Sequence, residues 1–218
     1  MPSKKEESIP SEKEFEKIMD KRFSSEIYEK LKCAEIAISG LGGLGSNIAI
    51  MLARTGIGHL HLVDFDMVDI SNLNRQVYLI QHIGMRKTDA LKIIISEINP
   101  YIKITTDHVY ITQDNVKSVF SGYSIICEAF DKPENKAMLI NELSRSCPVA
   151  RIVSGSGMAG YGSSNTIMTK KVFKNLYLCG DRVTDIENGI GLMSPRVSIC
   201  AGHQANMVVR LILGLEEE

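Results

Sequence analysis

Apolar and polar positions change period several times along this chain, and the changes mark its elements. Between residues 15 and 31 the apolar residues are Phe15, Ile18, Met19, Phe23, Ile27 and Leu31, a spacing that predicts one or two short helices with one apolar side. AEIAISG, residues 34–40, reads as a buried strand broken by glycine. Residues 46–55 read as an apolar helix stopped at Gly56 and Gly58. HLHLVDF (59–65) alternates as a strand does, and Lys87–Ile98 has a helical period that halts at Asn99-Pro100. Residues 101–109 and YSIICEAF (123–130) predict strands, 136–144 a helix, 149–153 a strand and 197–213 a helix. In between, GSGMAGYGSSNTIMTKK (155–171) reads as glycine-hinged antiparallel structure. Strands that alternate with helices imply an α/β fold: a mostly parallel sheet with helices on both faces, extended by antiparallel strands in the C-terminal third. No internal repeat or linker interrupts it, so residues 31–218 read as a single domain behind an N-terminal helical segment over 1–30.

Composition narrows the function classes. The 218 residues are 44% hydrophobic and 23% charged, ordinary for a globular protein, and the formal net charge of -1 gives no bulk field toward nucleic acid or an anionic membrane. No apolar run approaches the roughly 20 residues that span a bilayer. The opening stretch MPSKKEESIPSEKEFEKIMDKR lacks the apolar centre of a secretory signal, so a cytoplasmic location is expected. Cys33, Cys127, Cys147, Cys179 and Cys200 are odd in number and scattered, with no CxxC, which points to reduced thiols and to no zinc site.

Candidate chemistry starts at SGLGGLGS, residues 39–46. Gly40, Gly42 and Gly45 fit GxGxxG between a predicted strand and a predicted helix, and Asp64 ends the next strand at about the 20-residue spacing of a ribose-binding acid. A Rossmann-like nucleotide site follows, with free N–H groups at a helix start facing phosphate. The fingerprint by itself leaves NAD and ATP open. SNLNRQVY, residues 71–78, weighs between them. Hydride transfer leaves a pyrophosphate untouched, whereas cleavage at a phosphate needs positioned cations. Arg75 offers a bidentate fork, Asn72 and Gln76 can orient it or add donors, and Lys87 opens the next helix as a point charge. Asp131 follows the apolar strand ending CEAFD, where a carboxylate can hold Mg²⁺ against triphosphate oxygens or can cap the helix after Pro133.

Taken together, SGLGGLGS, DFD, SNLNRQ, the lysine a dozen residues on and the Asp after the next apolar strand resemble the ThiF/MoeB family, adenylating enzymes related to ubiquitin activators. The resemblance runs from about Ala34 to Leu215, with GLMSPRVSICAGHQANMVVRLILG similar to that family's C-terminal helix. The compact length and CEAFD look most like a ThiF-type branch. The resemblance implies ATP-dependent adenylation of the C-terminal glycine of a small ubiquitin-fold sulfur carrier ending in Gly-Gly, such as ThiS in thiamine thiazole synthesis. It implies Gly43 under the phosphates, Asp64 on the ribose, Asn72, Arg75 and Lys87 on the triphosphate, Asp131 on Mg²⁺, and a role for Asp66 in the family's DxD. It also implies a homodimer. The family's RYxRQ phrase is missing, and Arg22 is the nearest substitute for an arginine that acts across the dimer. Its paired CxxC motifs are missing too: NLYLCGD has Leu176 where the first cysteine would stand. Cys179 in that phrase, expected in a loop, is either a sulfur-transfer cysteine or a buried thiol. Rival functions are an NAD-dependent oxidoreductase, a family member that activates modified tRNA, and a non-catalytic half of a paired activator.

Overall fold

The computed structural model describes residues 9–185 and 191–217. Strands β1 (Glu35–Ser39), β2 (His59–Val63), β3 (Lys103–Asp107), β4 (Ile125–Glu128), β5 (Arg151–Gly155), β6 (Met168–Phe173) and β7 (Leu176–Gly180) form one sheet in the order β3-β2-β1-β4-β5-β7-β6. Every neighbouring pair is parallel except β6 with β7. The antiparallel pair is where the pattern predicts it, in the C-terminal third.

Helices cover both faces because the strands bury both. Leu60 and Leu62 of β2 join a core with α3 (Gly43–Thr55), α4 (Lys87–Ile98) and α7 (Ser194–Ile212), while Ala37 and Val63 join a second core with α5 (Val116–Phe120) and α6 (Pro133–Ser146). Alternation in HLHLV puts His59 and His61 on the second face, bonded to Thr105 at 2.8 and 2.9 Å, with Tyr123 stacked 5.0 Å from His61. The N-terminal segment is two helices, α1 (Glu12–Phe23) and α2 (Ser25–Lys32), and Met19, Tyr28 and Leu31 bury them against the body. Ser11 and Glu14 close a capping box at the start of α1.

Several boundaries differ from the sequence pattern for local reasons. Helix α3 starts at Gly43, not residue 46, because the last turn of the glycine loop is already helical. Pro133 and Pro195 sit in the first turns of α6 and α7 and start both helices earlier than the apolar period shows. The strand expected at 149–153 lies at Arg151–Gly155, and helix α5, absent from the sequence reading, is a single short turn of chain behind Asn115.

Both ends of the described chain leave from the edge of the sheet where the strands start. Pro10 accepts a hydrogen bond from the Tyr101 hydroxyl just ahead of β3, and Glu216 pairs with Arg151 at the start of β5, 3.1 Å away.

Candidate functional site

Strand order reverses between β1 and β4, and at their C-terminal ends a cleft of about 570 Å³ opens, the place where ligands of such sheets gather. Its floor is the glycine turn between β1 and α3. Gly40 has φ +88°, and a Cβ there would stand 2.8 Å from the Ala129 carbonyl oxygen, so the turns after β1 and β4 touch. A Cβ on Gly45 would overlap the Gly40 carbonyl oxygen, which is why the helix can start so close behind the turn.

Asp64 braces this turn. Its Oδ2 accepts from the Leu41 N–H at 2.6 Å and its Oδ1 from the Asp66 N–H at 2.7 Å. Burial pushes its carboxyl above the ordinary range, against the pull of Lys87 and those two amides. The Tyr78 hydroxyl donates to the Leu41 carbonyl at 2.9 Å, so both backbone polar groups of Leu41 are held.

The polar stretch 71–78 forms the adjoining wall. A 3₁₀ turn, Ile70–Asn72, is closed by Asn72 Oδ1, which accepts from the Asp69 N–H at 3.0 Å. Arg75 Nη1 donates to the Ser71 carbonyl at 3.1 Å and to Asn74 Oδ1 at 2.8 Å, and its Cγ lies 3.5 Å from where a Cβ on Gly43 would be. Gln76 is buried, and its Oε1 has no hydrogen-bond partner among the described residues. Lys87, 5% exposed at the start of α4, pairs with Asp66 Oδ2 at 2.6 Å. Asp131 stands exposed at the rim, beyond the end of β4.

Gly40, Gly42, Gly43, Asp64, Asp66, Asn72, Arg75, Gln76, Lys87 and Asp131, each picked out in the sequence, thus line one cleft. Gly45 sits behind it in the first turn of α3. Two candidates lie elsewhere. Arg22 is one turn beyond Met19, which packs against Gly56 at the foot of β2. Strand β2 separates that foot from the cleft by about 16 Å, so Arg22 does not meet this chain's own site. Cys179 is on β7 rather than in a loop. It is fully buried, and burial pushes its thiol up to about 11. Cys200, whose Sγ donates to the Cys179 carbonyl at 3.3 Å, is pushed up to about 12 by the same cause.

The sequence reading missed the aromatic pair Phe65 and Tyr110, ring centroids 4.8 Å apart, at the apolar end of the cleft beyond Asp64. It also missed Glu128 and Lys136, an ion pair behind Asp131, although a lone acid closing the apolar run IICE was a visible signal. Just after NLYLC, the phrase without the family's CxxC, Asp181 pairs with Arg196 of α7 at 2.5 Å, and Arg196 also donates to the Gly162 and Ser163 carbonyls. Burial raises the Asp181 carboxyl, but donors from Thr184, Val183 and Arg196 outweigh it and hold it below the ordinary range.

A glycine turn, a braced ribose-type acid and cations at a switch point define a nucleotide-binding α/β protein. A family model described as ThiF family matches residues 16–218, and the chain belongs to that family. It is 30% identical over 198 residues to a molybdopterin-synthase adenylyltransferase of Salmonella typhimurium, covering 87% of this chain and 77% of that one. It is 33% identical over 196 residues to the adenylyltransferase and sulfurtransferase UBA4 of Scheffersomyces stipitis, covering 85% of this chain and 43% of that one. The chain therefore spans less than half the length of several curated relatives it matches. Among solved structures, the E. coli tRNA N6-threonylcarbamoyladenosine dehydratase TcdA in complex with ATP superposes with a TM-score of 0.84 at 22% identity, covering 94% of this chain and 97% of that one, and so shares the fold. E. coli MccB does so with a TM-score of 0.70 at 23% identity, covering 88% and 59%.

Proposed function

We propose that this chain is an ATP-dependent adenylyltransferase that activates the C-terminal glycine carboxylate of a small ubiquitin-fold carrier. The observation that carries this reading is the convergence of the glycine turn, Arg75, Lys87 and Asp131 on one cleft. Family membership favours ATP over the nicotinamide dinucleotide that the glycine fingerprint leaves open. The relatives named as adenylyltransferases support the reaction type.

On this reading the adenine ring takes the apolar end beside Phe65 and Tyr110, and Asp64 and Asp66 face the ribose. The phosphates lie over Gly42 and Gly43, where a larger side chain would fill the space. Arg75 grips phosphate oxygens with its fork, and Asn72 and Gln76 add donors. Lys87 supplies a second positive charge from its place beside Asp66. The metal fits the donors present. Asp131 is a hard carboxylate at the rim of the same cleft, and Mg²⁺ is usually bound through one or two carboxylates together with substrate phosphates. Asp131 would hold it, and when bound the ion offsets charge on the phosphates.

The carrier's carboxylate, ionised at neutral pH, attacks the α-phosphorus in line. The new C–O–P bond forms as the bond to pyrophosphate breaks, and acyl-AMP remains. No proton moves, so the chain's residues position and neutralise, which suits a site without a Ser–His pair. A ThiS-like carrier, the thiazole pathway, a homodimer and a cytoplasmic location belong to this reading. Within a homodimer Arg22 would act only on the partner's cleft.

Modified tRNA is a second candidate substrate, favoured by the superposition on TcdA over nearly its whole chain, while the net charge of -1 offers it no bulk attraction. ATP–pyrophosphate exchange with and without a ThiS-like carrier ending in Gly-Gly separates the two. We expect carrier-dependent exchange that falls about a hundredfold or more in Arg75→Ala. Exchange indifferent to carrier, or untouched by that substitution, would remove the reading.

A further inference from the structure

The turn that carries Asp131 is held by a buried charge pair to which the reaction above gives no task. Glu128 closes β4 and is fully buried. Its Oε1 accepts from the Phe130 N–H at 2.7 Å and from Lys136 Nζ at 3.0 Å. Its Oε2 accepts from the Ser154 hydroxyl of β5 at 2.5 Å and lies 2.9 Å from Lys136 Nζ. Lys136, in the first turns of α6, also donates to the Phe130 carbonyl at 2.8 Å. Phe130 is therefore fixed at both backbone polar groups by the two partners of one ion pair. From α7 the Gln204 amide donates to the Glu128 carbonyl at 3.3 Å and to the Val153 carbonyl at 3.2 Å, tying the end of β4 to β5. On its other side the turn rests against the glycine loop: a Cβ on Gly40 would be 3.0 Å from Phe130 Cδ1.

A carboxylate this deep is costly to bury, and an apolar pair of similar volume would fill the space as stably. What an apolar pair would not supply is a fixed backbone path for residues 129–131. We propose that Glu128 and Lys136 are positioning residues, which set Asp131 against the glycine turn so that metal and phosphates share one site. This rests on the assignment of Asp131 to Mg²⁺. Glu128 is fully buried, and Lys136, at the edge of the cleft, spends its ammonium on Glu128 and the Phe130 carbonyl. They act through the Phe130 backbone, as outer partners orient a ligating carboxylate in other metal sites.

The test measures how much Mg²⁺ strengthens ATP binding, by calorimetry with ATP in magnesium and in EDTA, together with the thermal midpoint. Lys136→Met alone would strand the Glu128 charge, so the informative variant is the neutral pair Glu128→Gln with Lys136→Met. It is expected to fold and to bind ATP in EDTA as the parent does. Its gain from Mg²⁺ should be roughly 10- to 100-fold smaller. Lys136→Arg with Glu128 unchanged, which keeps the charge and the donors, should retain most of that gain. Asp131→Asn should lose it too, and adding the neutral pair to Asp131→Asn should cost nothing further. The proposal is overturned if the neutral pair keeps the full magnesium effect while Asp131→Asn loses it. It is overturned as well if the pair lowers ATP binding equally with and without Mg²⁺ in step with a lower midpoint, as a merely structural pair would. If Asp131→Asn itself keeps the parent's magnesium effect, the metal assignment fails first and the positioning role falls with it.

Discussion

Asp181 shows how a single side chain converts charge into pH-dependent stability. Its carboxylate is paired with Arg196 and accepts from the Val183 and Thr184 amides at 2.9 Å each. Because its pKa is lower folded than unfolded, its stabilisation is full above about pH 5 and is lost as pH falls through the folded value. Asp181→Asn should therefore melt below the parent near neutral pH, and the gap should narrow as melts are taken below about pH 5. A gap that stays constant would mean the ion pair is not the source. A Cβ on Gly45 meets the Gly40 carbonyl oxygen, so Gly45→Ala is expected to cost roughly 2 kcal/mol by overpacking, about 6 °C in Tm, read by thermal denaturation in parallel with ATP affinity. The glycines were legible in the sequence because a turn this tight admits few residue types. The bracing of Leu41 by Asp64 and Tyr78 was not, because it joins residues far apart in the chain through backbone atoms that carry no residue signature.

Among the elements, the parallel strands and long helices were the most readable. Strands buried on both faces leave unbroken apolar runs such as IICE, and helices over them keep a steady period. What the pattern could not give was order. That β7 lies parallel to β5 with β6 outside it follows from chain path, not from local preference. Helix α5 went unseen because five residues hold little more than one turn of period. The pair α1–α2 has a testable status. Leu31 is 1% exposed, inside the core shared with α3 and α7, and Gly58 abuts the Lys32 carbonyl so closely that no Cβ fits. Leu31→Ala should cost about 3 kcal/mol in denaturant unfolding, as a core truncation does. A change well under 1 kcal/mol would show that the two helices are docked loosely and lie outside the folding unit.

The five cysteines are distributed so that no exposed thiol stands at the cleft. Cys33 is exposed but lies before β1, and Cys147 ends α6, about 21 Å from the helix start at the rim. Cys127, Cys179 and Cys200 are fully buried. An Ellman titration of the native protein should therefore show rapid reaction at Cys33 and none at those three until denaturant is added, and Cys179→Ser should leave pyrophosphate exchange unchanged. Fast labelling of Cys179 in the folded state would return it to consideration as a sulfur-transfer group. The sequence reading placed Cys179 in a loop and missed its depth on β7, where Thr169 of β6 pairs beside it and the Cys200 thiol of α7 reaches its carbonyl. Both ends of the described chain depart from the side of the sheet remote from the cleft. At Pro10 and at Glu216 the described chain is thus on the side opposite the mouth of the cleft. A tether fixed near either of these two residues would therefore pull from the far side of the sheet and leave the cleft facing away from it.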